Sequence, residues 1–186
     1  MKELSPKARA VLSRMRLLAL DVDGCLTDGR VQYVGKEELM SFHVHDGQAL
    51  RWLLDEGIQL TWITGRGSPA TARRAAELGV RELHTRVKDK AERLAQVQAQ
   101  LDVSPSATVA MGDDLPDLAL ARHAALFVAP ANARPEILER ADLVTTASGG
   151  SGAVRELAEW VLRARDVWER RVRVAGEGLG EGTERA

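Results

Sequence analysis

Short runs of Leu, Val, Ile and Ala recur along the chain at 17–22, 59–64, 80–83, 108–111, 125–128 and 142–145. Between them lie longer stretches whose apolar residues return every three or four positions. Runs this short with no polar face read as strands covered on both sides, and strands alternating with amphipathic helices build a parallel sheet. The expected fold class is therefore α/β, a three-layer Rossmann-like parallel sheet with helices on both faces. Strands are expected at Leu17–Val22, Gln59–Thr64, Val80–Leu83, Thr108–Met111, Ala125–Val128 and Asp142–Thr145. Helices are expected over about 46–56, 68–78, 89–101, 115–122, 134–140 and 152–171, with a leading helix near 5–14. One segment falls outside the alternation. "RVQYVGKEELMSFHV" alternates Val31/Tyr33 and Met40/Phe42/Val44 around Gly35-Lys36, and reads as a β-hairpin flap over about 30–44.

A chain of 186 residues with 45% hydrophobic content has enough apolar mass for one core. We expect a single domain over 1–171 and a flexible tail over 172–186, where "VAGEGLGEGTERA" is Gly-rich and polar. The 26 basic and 27 acidic side chains nearly cancel, so no excess of positive charge pulls the whole protein onto nucleic acid or an anionic membrane, and any anion is caught locally. Cys25 is the only cysteine and has no partner for a disulfide, and the opening "MKELSPKARAVLSRMR" is charged throughout. The expectation is a cytoplasmic protein that binds a small molecule.

The polar residues gather where such a sheet binds ligands, just past the carboxyl ends of its strands. The first strand ends in Asp21-Val22-Asp23-Gly24, two carboxylates that strand alternation aims to one side and that need a cation to coexist. The second ends in "ITGR", with Thr64, Gly65 and Arg66. Lys88 and Lys90 open the helix after the third, and the fourth ends in "GDDLPD", with Asp113, Asp114 and Asp117. Taken singly, "TGR" reads as an ordinary turn and "GDDLPD" as an acidic helix start.

In this order, "DVDGCLT", "ITGR", the Lys before "AERL" and "GDDLPD" resemble the four motifs of the haloacid-dehalogenase-type phosphohydrolases. The resemblance implies that Asp21 attacks phosphorus and that Asp23 protonates the leaving alkoxide and then activates water. It implies that Thr64 and Lys90 bind the phosphoryl group, Lys90 also orienting Asp21, with Lys88 as the competing lysine. It further implies Mg²⁺ held by Asp21, the backbone carbonyl of Asp23 and Asp113, with Asp114 or Asp117 acting through water. A second Asp two positions after the first suits phosphate transfer rather than dehalogenation, and neither inter-motif gap has room for a cap domain.

With "TDG", "SFHVHDG", "RADLVT" and "GGSGAVRE" added, residues 16–165 are similar to the capless sugar-acid phosphatases, the 3-deoxy-D-manno-octulosonate 8-phosphate phosphatase branch. That implies a phosphorylated sugar acid as substrate, with a related nine-carbon acid phosphate or another small phosphomonoester as the alternative. It also implies a homotetramer in which neighbouring subunits stand in for the cap. The branch usually carries Arg where this chain has His45 and Ser151, so His45 and Arg66 are the candidate contacts to the substrate's acid end.

Other features have plainer readings. His43 and His45, two apart on an expected strand, lack a third ligand for zinc. "GGSGAVRE" looks like a phosphate loop but lacks its Lys-Ser/Thr, and reads rather as a glycine-rich strand-to-helix turn. Two rival functions stay open: a signalling receiver domain, which places its acceptor Asp on the third strand, and a catalytically silent relative that binds a protein partner.

Overall fold

The computed structural model describes residues 4–177. Ser5 starts helix α1 (Pro6–Arg14) by accepting the Ala8 N–H on its hydroxyl at 3.2 Å, and Pro6 has no N–H left to satisfy there. The chain continues through β1 (Leu17–Leu20), the hairpin β2 (Gln32–Val34) and β3 (Glu37–Leu39), α2 (Val44–Asp55), β4 (Gln59–Ile63), α3 (Pro69–Leu78) and β5 (Glu82–His84). It then forms α4 (Lys90–Leu101), β6 (Thr108–Met111), a 3₁₀ turn at Leu115–Asp117, α5 (Leu118–Ala121) and β7 (Leu126–Ala129). α6 (Pro135–Leu138), β8 (Leu143–Val144), α7 (Ala153–Ala164) and α8 (Trp168–Glu177) complete the described residues.

Six strands form one sheet in the order β5-β4-β1-β6-β7-β8, every pairing parallel. Strand alternation splits the core into two layers. Leu18 and Leu20 of β1 face α1, α2, α3 and α7, together with Trp62 and Met111. Leu17 and Ala19 face α4, α5 and α6, with Ile63 and Phe127. The chain leaves β1 first toward β4 and β5, and returns to the other side of β1 only at β6. That reversal leaves a crevice beyond the carboxyl ends of β1, β4 and β6, where crossing connections do not cover the sheet.

The structure corrects several boundaries. The hairpin's second strand ends at Leu39 rather than running on to Val44. Met40 and Phe42 alternate because they pack into the core as extended chain, Phe42 stacking on Trp62 with ring centroids 6.5 Å apart. His43 is the N-cap of α2, so His43 and His45 stand at a helix start and not on a strand. β5 begins at Glu82, two residues later than the apolar run. The single helix expected over 152–171 is two, broken where Asp166 adopts φ 58° between α7 and α8. α8 carries helix to Glu177, inside the expected tail, and the remainder, 178–186, lies outside the described residues. Among the described residues no helix is long and apolar enough to cross a membrane.

One buried carboxylate ties the two large helices together. Asp46, on the first turn of α2 and 1% exposed, accepts the Arg155 N–H at 2.7 Å and the Gly152 N–H at 3.3 Å. It therefore caps α7, whose own N-cap residue, Gly152, has no side chain to do so. Asp46→Ala is expected to lower the free energy of unfolding by about 1–3 kcal/mol, by leaving buried N–H groups unpaired. Urea denaturation checks this, and an unchanged midpoint would contradict the capping role.

Candidate active site

Asp21 is the first residue past β1, and its N–H continues the ladder to the Met111 carbonyl at 3.0 Å. The chain then turns at once: the Val22 carbonyl accepts from Leu26 and Thr27, and the Thr27 hydroxyl accepts from Gly24 at 3.4 Å and Gly29 at 3.3 Å. Gly24 sits at φ 94°, and a Cβ there would lie 2.1 Å from Asp113 Oδ2. Glycine is thus required twice over, by the backbone angle and by the approach of the second carboxylate. The "GGSG" loop closes over this turn from behind. A Cβ on Gly149 would lie 1.7 Å from the Gly24 carbonyl oxygen, and the Gly150 N–H donates to the Cys25 carbonyl at 3.0 Å. Of the two readings of that loop, the packing turn is the one its contacts describe.

Lys90 opens α4 and is 7% exposed. Its ammonium donates to Asp21 Oδ1 at 2.5 Å and to Asp117 Oδ1 at 2.6 Å. Lys88 is exposed and lies at the cleft's edge. The structure also separates Asp114 from Asp117, which the sequence left interchangeable. Asp117 is buried, its Oδ2 accepting the N–H groups of Asp113 at 3.0 Å and Asp114 at 3.2 Å. Asp114 is exposed and caps Leu115. Asp117 therefore holds both the lysine and the loop carrying Asp113, a role missed in the sequence because "GDDLPD" does not say which acid turns inward.

Across the cleft, Thr64 follows β4 and donates its hydroxyl to Asp23 Oδ2 at 2.9 Å while accepting the Arg66 N–H at 3.0 Å. Arg66 Nε lies 3.4 Å from Asp23 Oδ1, and its terminal nitrogen donates to Glu38 of β3 at 2.8 Å. Partial burial works against the Arg66 charge, but Glu38, Tyr33 and Asp23 outweigh it and raise its pKa. Asp21, Asp23, Thr64, Gly65, Arg66, Lys90 and Asp113 all line one open cleft of about 470 Å³. His45 does not: it is exposed on the first turn of α2, its ring 5.0 Å from that of His43. The resemblance implied a place for His45 near the substrate, whereas here it stands at the start of α2 and is not among the residues that line the cleft.

The charge balance shows what the site can hold. Asp21, Asp113 and Asp117 surround one ammonium. Burial, then Asp117, pushes Asp21 up to about 8 against the pull of Lys90, and burial with Asp117 and Asp114 pushes Asp113 up to about 7. The Asp21 and Asp113 carboxylates and the Cys25 sulfur lie within 4.8 Å of one another. Cys25 is fully buried, and burial followed by the Asp21 and Asp113 charges raises its pKa, while its sulfur is a soft donor poorly matched to a hard cation. Two oxygen donors with surplus negative charge fit a hard divalent cation. The Asp23 carboxylate is engaged by the Thr64 hydroxyl and lies beside Arg66.

Residues 80–157 match the model of the haloacid dehalogenase-like hydrolase family. The 3-deoxy-D-manno-octulosonate 8-phosphate phosphatase KdsC of Salmonella typhimurium is 38% identical over 164 residues, 87% of each chain. The chain belongs to this family of haloacid dehalogenase-like phosphatases. As a member it is a phosphoric monoester hydrolase. The Yersinia pestis phosphatase structure superimposes with a TM-score of 0.87 at 35% identity, covering 89% of this chain and 90% of that one. The Moraxella catarrhalis phosphatase, in complex with magnesium ion, phosphate ion and a KDO molecule, gives 0.86 at 35% identity over 89% and 96%. Membership sets aside the receiver-domain alternative, consistent with Asp21 standing at the end of the first strand.

The raised carboxyl pKa values link this phosphatase's stability to pH. Between the ordinary carboxylate value and about 8, the folded metal-free chain keeps protons on Asp21 and Asp113 that the unfolded chain releases. Their contribution is complete below the unfolded value of 3.8 and is lost as pH rises through about 7 and about 8. Metal-free protein is therefore expected to melt at a lower temperature at about pH 8.5 than at about pH 7, a window above the titration of ordinary histidine. Calorimetry in chelator checks this; a melting temperature that rises across the window would contradict the buried charge surplus.

Proposed function

We propose that the chain hydrolyses the phosphomonoester of a sugar acid, most specifically 3-deoxy-D-manno-octulosonate 8-phosphate, through an aspartyl-phosphate on Asp21. One observation carries the chemistry: Lys90 pins one oxygen of Asp21 at 2.5 Å, while Asp23, two residues on, is held separately by Thr64. Nucleophile and acid/base are thus distinct carboxylates with different partners. The substrate class is supported by the relatives, whose named substrate is that octulosonate phosphate, and by Arg66 at the cleft, a planar donor suited to a carboxylate.

In this reading the free oxygen of Asp21 attacks phosphorus, and the bond to the sugar oxygen breaks. Asp23 gives its proton to the leaving alkoxide. Water then attacks phosphorus, Asp23 takes its proton back, and the Asp21–phosphorus bond breaks to release phosphate. Lys90 and the Thr64 hydroxyl stabilise the phosphoryl charge as it is transferred. Bound by the Asp21 and Asp113 carboxylates and the Asp23 carbonyl, Mg²⁺ supplies the charge neutralisation that lets an anion approach a phosphate dianion.

The same reading includes assembly. The hairpin exposes Tyr33 and Val34 at 67% and 64%, and Leu39 beside them, while the cleft has no cap of its own. A tetramer covers both, with neighbouring subunits serving as the cap.

Chelation with EDTA is expected to abolish turnover and Mg²⁺ to restore it. Among octulosonate 8-phosphate, a nine-carbon sugar-acid phosphate, hexose phosphates and p-nitrophenyl phosphate, the first is expected to give the highest kcat/KM. Activity that survives exhaustive chelation would contradict the metal's role, and hexose phosphates cleaved as efficiently as the sugar acids would contradict the substrate class. No turnover of any of the four would favour the silent partner-binding alternative.

A further inference from the structure

We propose that Glu38, on the exposed hairpin, is a positioning residue that fixes Arg66 for the acid end of the substrate, so that the flap sets specificity from outside the cleft. The inference rests on the sugar-acid reading above. Glu38 is the one residue of β3 that is not fully exposed, and its Oε2 accepts from an Arg66 terminal nitrogen at 2.8 Å. It lies opposite Tyr33 in the hairpin register, so both side chains leave the same face of the ribbon. The other edge of the guanidinium faces Asp23, with Nε 3.4 Å from Oδ1.

These contacts engage Nε and one terminal nitrogen. The second terminal nitrogen makes no hydrogen bond to a carboxylate among the described residues, and the Tyr33 side chain, opposite Glu38 in the hairpin, also acts on the guanidinium. A fork held at two points offers its remaining donors in one orientation, whereas a free arginine at a cleft mouth loses rotamer freedom each time it binds. The pair is too exposed, at 42% and 20% of the two side chains, to matter much to folding. Among the described residues it is also the ion pair that joins the hairpin strands to the body of the protein. Among the described residues Glu38 makes no hydrogen bond to Asp21, Asp23, Lys90 or Asp113, and it reaches the acid/base Asp23 only through Arg66.

Steady-state kinetics of the Mg²⁺-loaded full chain, with octulosonate 8-phosphate and p-nitrophenyl phosphate as substrates, tests this. Glu38→Gln keeps the shape and removes the charge. It is expected to raise KM for the sugar-acid phosphate about tenfold while kcat stays within about twofold, so that the ratio of the two kcat/KM values falls about tenfold. In an Arg66→Ala background the same substitution is expected to change that ratio no further. A sugar-acid preference that survives Glu38→Gln, a loss equal for both substrates, or an undiminished effect on top of Arg66→Ala would each overturn the inference alone. A wild-type enzyme with no preference for the sugar-acid phosphate would instead overturn the sugar-acid reading, and this inference with it.

Discussion

Everything at the functional end of this molecule answers to one constraint: three carboxylates are packed around a single ammonium at the carboxyl edge of the sheet. Lys90 satisfies one oxygen each of Asp21 and Asp117, and Asp113 stands beside them with no ion pair of its own among the described residues. Burial prevents water from dispersing that charge, which is why Asp21 and Asp113 are pushed up to about 8 and about 7. The surrounding architecture keeps the cluster together. Gly24 lets Asp113 approach, Gly149 lets a second loop brace the turn, and Asp46 fixes the helix behind that loop. A site so built is poised for a divalent cation and a phosphoryl group rather than stable alone.

The parts of this that were legible in the sequence were those with short-range physical causes. An apolar run ending in Asp-Val-Asp reads as a buried strand emerging at a ligand-binding edge, and that end, together with "ITGR", the Lys90 helix start and "GDDLPD", holds most of the residues that line the cleft. What could not be read depended on distant partners. The N–H groups that Asp46 caps lie more than a hundred positions along the chain. Nothing in "GDDLPD" says that Asp117 turns inward to Lys90 while Asp114 stays in solvent. Met40 and Phe42 copied the alternation of a strand because both pack against the core, and that imitation extended the expected hairpin past Leu39.

The hairpin stands in a different relation to the rest. It contributes almost nothing to the core, with Tyr33, Val34 and Leu39 in solvent, yet it reaches the cleft through Glu38 and Arg66. The proposed division of labour follows from this placement: the sheet edge would carry the phosphoryl chemistry, and the flap with Arg66 would set which phosphate ester is preferred. Arg66 is the guanidinium among the residues lining the cleft.

The claim on which the rest turns is that Asp21 itself carries the phosphoryl group between the two half-reactions. Asp23→Asn removes the base for the second step, so rapid acid quenching of that variant after mixing with Mg²⁺ and p-nitrophenyl phosphate should trap the intermediate. Peptide mass spectrometry is then expected to find the mass of one phosphoryl group on the segment holding residues 17–29, localised to Asp21. A phosphoryl group found on Asp113, Asp117 or another side chain, or turnover at the wild-type rate with none trapped at all, would contradict the assignment.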